Sequence, residues 1–337
     1  VAVVDAGFPN VNTMSAFERL RAAGNLMGGY DFVDRTDAVY TSTSSQHGTQ
    51  VLSTMAGFVQ DQYVGTAPDA TYYLFRTEDV ASENPVEESY WLEAVERADS
   101  LGVHVINTSL GYKAYDNSNY SYTSTQLNGT TTYSSKGANI AFEKGLILIN
   151  SAGNSGASGI ATPADAAGVL TVAAVDEDEN YVSFSSQGSA FQLTQKPDVA
   201  ARGLGSYVIN SSNQISQSNG TSFSSPILAG AVASLVQALP DATNAEIVAY
   251  VRESASQYSN PDFFIGYGIP DFQAALTLGV KDQLYKQLDF QIFPNPAKST
   301  IVIKYPNSIT NASLSIHTIL GQLAYKSQLE SMKPVNI

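Results

Sequence analysis

The chain of 337 residues contains no cysteine. That absence excludes a thiol nucleophile, disulfide staples and any zinc site built on thiolates. Histidine occurs at only three positions, His47, His104 and His317, so a histidine-rich metal centre is excluded as well. Basic residues are outnumbered, 17 against 31 acidic, and the formal charge of −14 argues against nucleic acid or an anionic membrane surface as a partner. No apolar run reaches the ~20 residues that a membrane-spanning helix needs. What remains is 43% hydrophobic and 14% charged, a composition that buries a core, over a length sufficient for one large domain and a small one.

Short apolar runs rich in β-branched residues, at 1–4, 103–106, 146–149 and 170–175, read as strands buried on both faces. Helical patterns alternate with them. One over 87–101 follows Pro85 and stops at Gly102, and one over 138–144 stops at Gly145. Thr243 and Glu246 have capping-box spacing for a helix running to about residue 255. This alternation predicts an α/β fold with a doubly wound, mostly parallel sheet.

Sites in such sheets form beyond the carboxyl ends of the strands. Asp5, Asn107 and Asn154 all fall just past an apolar run, and His47 and Ser222 each fall at the start of a helix. The run SSPILAGAVASLVQAL after Ser222 is small and apolar almost all round, which reads as a helix through the core with Pro226 in its first turn.

Four segments far apart in the chain supply the parts of one reaction: Asp5 in VVDAG, His47 in QHGT, Asn154 in SAGN and Ser222 in NGTSFSSP. A serine hydroxyl is a weak nucleophile near neutral pH, so an imidazole must take its proton as it attacks a carbonyl. A carboxylate must hold that imidazole in one tautomer and stabilise the cation that forms. The developing oxyanion needs donors already in place, which the Asn154 amide and the Ser222 N–H supply. Taken singly, each residue also has a structural reading: a strand-end carboxylate, a helix-start neighbour, a turn asparagine, a helix-capping serine. Their conjunction favours the chemistry.

The order Asp, His, Asn, Ser and the segments VAVVDAGF, HGTQVLSTMAG, NTSLG, SAGNSG and NGTSFSSPILAG resemble the subtilisin-like serine proteases, over residues 1–278. The resemblance implies a secreted serine endopeptidase with a triad of Ser222, His47 and Asp5, an acyl-enzyme intermediate and Asn154 at the oxyanion. It also implies that Ser109-Leu110-Gly111 pairs with the substrate backbone and that Ser151-Ala152-Gly153 forms a second pocket wall. Polypeptides are the implied substrates, catalysis needs no cofactor, structural calcium fits the family's habit, and a monomer is expected. The acidic run 176–179 reads as a solvated loop, and no metal ligand is assigned. Two departures from the family pattern, Phe223 and Ser224, are expected to face away from the chemistry, and Ala6 removes a hydrogen bond near Asp5. The polar stretch 112–135 is either a loop lining the cleft or a solvated excursion.

Beyond residue 279 the character changes, with a polar linker over 280–289 and then strand-like segments separated by Pro, Asn and Gly turns over 290–337. The Phe293-Pro294-Asn295-Pro296-Ala297 and Gly321-Gln322 turns resemble the start of the C-terminal sorting domain of the type IX secretion system of Bacteroidetes, a partial β-sandwich handled by that machinery. The chain opens at Val1 inside a strand, without Met, and closes at Ile337, so both ends are expected to continue in a longer protein with an upstream signal peptide and pro-segment. Two other readings keep the fold: an esterase or peptide ligase using the same machinery, and a non-catalytic binding protein, which would be marked by a broken triad.

Overall fold

The apolar run that opens the chain becomes β1 (Ala2–Asp5), with every residue buried. The computed structural model describes residues 1–287, 291–305, 312–318, 321–329 and 333–336. The chain divides into two compact units, Val1–Thr277 and Leu278–Ile337. In the first, β1 is followed by α1 (Glu18–Ala22), β2 (Leu26–Asp31), α2 (His47–Ala56), the short strands β3 (Phe58–Val59) and β4 (Tyr63–Val64), and β5 (Tyr72–Arg76). Then come α3 (Val86–Ser100), β6 (Val105–Thr108), α4 (Tyr133–Glu143), β7 (Ile147–Ser151), β8 (Val169–Val175) and β9 (Val199–Arg202). The hairpin β10 (Ser206–Ile209) and β11 (Ile215–Ser218) leads to α5 (Thr221–Ala238), α6 (Asn244–Glu253) and α7 (Phe272–Gln287), whose residues from Leu278 onward belong to the second unit.

Seven strands form one sheet in the order β2-β5-β1-β6-β7-β8-β9, every pair parallel. Parallel pairing requires crossovers, and helices over the sheet faces explain why β1, β6, β7 and β8 have no exposed residue. Ile106 joins the cluster of Trp91, Ala94 and Ala138 from α3 and α4, whereas the next residue, Asn107, bonds Ser225 of α5. Successive strand residues point to opposite faces, so α5 lies on the face opposite α3 and α4. From β1 the chain goes first toward β2 and β5 and later returns on the other side to β6. The sheet therefore reverses its winding beside β1, and a crevice opens beyond the carboxyl ends of β1, β6 and β7.

α4 starts at Tyr133, earlier than the apolar pattern from 138 indicates. Thr132 caps it, and Ser134 and Ser135, polar in sequence, are buried because Glu88 and Asp165 accept their hydroxyls. The stretch 112–135 is neither free nor simply solvated near its start. Tyr112 donates to Glu78 at 2.6 Å, while Tyr115 and Tyr122 donate to Glu88 at 2.5 and 2.7 Å. The capping box of Thr243 and Glu246 is present at the start of α6.

In the second unit, β12 (Gln291–Phe293), β13 (Thr300–Lys304) and β16 (Pro334–Asn336) form an antiparallel sheet, and β14 (Ala312–His317) pairs with β15 (Leu323–Leu329). Ile301, Ile303 and Tyr305 form their common core against Leu314, Ile316 and Leu329. Gly321, at φ 80°, makes the β14–β15 turn, with its N–H on the Thr318 carbonyl. The segment expected as a linker, 280–289, is helical through Gln287, and its last two positions lie outside the described residues.

Candidate active site

Asp5 is the last residue of β1, wholly buried, and its Oδ1 accepts both the Ala6 N–H and His47 Nδ1 at 2.7 Å. His47 opens α2, which comes so close to β1 that a Cβ on Gly48 would lie 2.5 Å from the Gly7 carbonyl and 2.9 Å from Asp5 Cβ. The glycine after the histidine is therefore needed to seat the helix against the carboxylate. The ring keeps 31% of its side chain exposed, so it can face a substrate. Burial lowers the basicity of His47, but the charge and hydrogen bond of Asp5 outweigh it, and the imidazole is held above its usual range. Among the described residues Asp5 Oδ2 has no partner, in keeping with alanine at position 6.

Ser222 is the second residue of α5, 9% exposed, with Oγ 3.4 Å from the Ser109 carbonyl. The chain thus brings Asp5 and His47 into direct contact, while the Ser222 hydroxyl is turned toward Ser109. Phe223 corrects one expectation. Its ring centroid stands 5.8 Å from that of His47, so it packs beside the chemistry and not away from it.

Pro226 corrects another. α5 begins at Thr221, which puts Pro226 past the first turn, where its missing N–H leaves the Ser222 carbonyl without the helical donor. The Ser109 hydroxyl fills the gap, donating to Ser222 O at 2.9 Å, and Asn107 Nδ2 donates in turn to Ser109 Oγ.

Asn154 follows β7, and its Oδ1 accepts the N–H and the hydroxyl of Thr221 at 2.9 and 3.0 Å. The Thr221 N–H demands an acceptor, which fixes the amide with the oxygen on the helix N-terminus and leaves Nδ2 as a donor. Ser109, Leu110, Gly111, Ser151, Ala152, Gly153, Asn154 and Ser222 all line one cleft of about 420 Å³. Asn150 ties its walls together, Nδ2 donating to the carbonyls of Leu110 and Ser151 at 2.9 Å.

Sequence reasoning did not reach Thr221, Asn150, Ala161, Ser186 or Lys113, of which all but Asn150 line the cleft. Asn150 had a signal: an amide interrupts the apolar run LILIN. His104 is exposed just before β6, at the amino end of the strand, and His317 ends β14 beside the Gly321 carbonyl. The acidic run 176–179 forms a turn after β8, exposed from Glu177 onward. Asp176 Oδ1 accepts the N–H groups of Asp178 and Asn180, and among the described residues no three acids or histidines stand close enough to share an ion.

Comparison with known proteins agrees with this architecture. The subtilase family profile matches residues 1–268, and that of a secretion system C-terminal sorting domain matches residues 291–337. Subtilisin DY of Bacillus licheniformis is 29% identical over 255 residues, 74% of this chain and 84% of that protein. Subtilisin E of Bacillus subtilis is 31% identical over 280 residues, 82% of this chain and 65% of that protein. Among solved structures, MycP1 from Mycobacterium smegmatis shares the fold with a TM-score of 0.63 at 24% identity, over 82% of this chain and 78% of that one. The chain belongs to the subtilase family and is a serine-type endopeptidase acting on polypeptides. Its tail is a type IX sorting domain, which directs export to the cell surface or the extracellular space.

Proposed function

We propose that Ser222 cleaves peptide bonds through an acyl-enzyme, with catalysis in residues 1–279, export information in 290–337, and a monomer as the working form. A polypeptide pairs with Ser109-Leu110-Gly111 and sets one side chain between that wall and Ser151-Ala152-Gly153. Ser222 Oγ rotates from the Ser109 carbonyl toward His47, an adjustment expected of a site without substrate. As Oγ bonds to the substrate carbonyl carbon, its proton passes to His47 Nε2, while Asp5 holds Nδ1 and stabilises the imidazolium. The oxyanion takes hydrogen bonds from Asn154 Nδ2 and the Ser222 N–H, aided by the positive end of α5. His47 then gives its proton to the leaving amine, and water repeats the sequence to free the acid.

The observation that carries this reading is the 2.7 Å bond from buried Asp5 to His47, set beside a helix N-terminus whose own residue orients the Asn154 amide. The test is fluorophosphonate labelling and casein hydrolysis by the full-length protein and by Ser222→Ala. Turnover in the variant is expected to fall by about a million-fold, with labelling lost. An intact protein that neither labels nor cleaves would sink the mechanism, and faster turnover of esters with amine acceptors than with water would favour a ligase.

A further inference from the structure

The two walls of the cleft meet just beyond Gly111. Tyr112 and Thr162 form an antiparallel bridge, their N–H groups exchanged at 2.7 and 3.1 Å, and a Cβ on Gly111 would stand 3.2 Å from that of Ala161. One residue further, the Lys113 ammonium reaches across to the Ser158 carbonyl, joining the two walls at the rim. Small side chains, Ser109, Ser151, Ser155, Ala161 and Ser186, make up much of the lining of the same cleft, with Leu110 its one large apolar side chain.

Lys113 makes no ion pair among the described residues. An ammonium has three donors, of which the Ser158 carbonyl takes one, and a carboxylate is a stronger partner than a neutral carbonyl. The lining contains one other charged residue, Glu83. Its backbone is engaged with Asp116, and no ion pair joins its carboxyl to Lys113.

We propose that Lys113 is a specificity-determining residue that favours substrates with a carboxylate side chain, Glu or Asp, at the residue whose carbonyl Ser222 attacks. The proposal rests on the catalytic reading above. That residue's side chain lies between the two walls, and its carboxylate replaces or joins the Ser158 carbonyl at the ammonium. A basic side chain meets repulsion at the same point.

The experiment measures kcat/KM of the full-length protein on peptide anilides that differ only at that position, Glu, Gln, Ala or Lys, with fluorophosphonate labelling run alongside. Glu is expected over Gln by about tenfold, shrinking in 1 M salt where screening acts within about 3 Å. Lys113→Ala should flatten the Glu-to-Gln ratio, Lys113→Glu should invert the order of Glu and Lys peptides, and Glu83→Gln should keep or enlarge the preference. A ratio unchanged in both Lys113 variants, or lost in Glu83→Gln, overturns the assignment. A wild-type chain that labels but shows no preference overturns it alone, whereas one that does not label overturns the catalytic reading as well.

Discussion

Asn154 shows how much of this site depends on the direction of one amide. Two contacts from Thr221 hold its oxygen, which leaves Nδ2 as a donor in the wall of the cleft. In the proposed mechanism that donor meets charge present only in the transition state. Asn154→Ala is therefore expected to lower kcat by about 10²–10³ with KM nearly unchanged, measured on a peptide substrate. The pH response belongs to the same scale. The proposed mechanism needs neutral His47, whose imidazole Asp5 holds above its usual range against the opposing effect of burial. Activity should fall as pH drops through a midpoint above that usual range. In Asp5→Asn the charge is gone and burial remains, so the acid limb should move down while kcat falls by about 10⁴. A pH profile of kcat/KM for both proteins checks the direction.

At the scale of the element, α5 carries a fault and its repair. Pro226 cannot donate to the Ser222 carbonyl, and the Ser109 hydroxyl, from the segment after β6, does so at 2.9 Å. Ser109→Ala leaves a buried carbonyl unpaired and is expected to cost about 1–3 kcal/mol in urea unfolding. Pro226→Ala restores an N–H to the helix, so the double variant should recover most of that loss, and equal losses in single and double variants would show that Ser109 acts otherwise. The helices over 86–100 and 244–253 were legible from punctuation and capping. The early start of α4 was not, because its first turn is polar and becomes helical only where Glu88 and Asp165 accept its hydroxyls.

Across the whole molecule, acidic residues of α3 and the preceding loop lie buried beneath the tyrosines of 112–122. Burial and the neighbouring Glu87 raise the Glu78 carboxyl to about 8, and burial raises Glu87 to about 7. Each folded carboxyl therefore keeps a proton that the unfolded chain releases near 4.5, and stability should decline as pH rises from that value to about 8, then level off. Glu78→Gln keeps an acceptor for Tyr112 without the titration. Urea midpoints at pH 5, 7 and 9 should be flatter in that variant, and a parallel decline in both proteins would assign the pH dependence elsewhere.

The alternation of buried strands and helices, the placing of Asp5, His47 and Ser222 at element ends, and the change of character past residue 279 were determined by the sequence itself. All three depend on local periodicity or on short-range punctuation, which a linear reading can see. The 2.7 Å contact of Asp5 with His47 is of another kind, as are the Asn150 tie between the cleft walls, the placing of Phe223 beside His47 and the Lys113 bridge to Ser158. Each joins positions on separate elements, or turns a side chain toward one neighbour and not another. Only the winding of the parallel sheet and the packing of α5 against it decide such contacts.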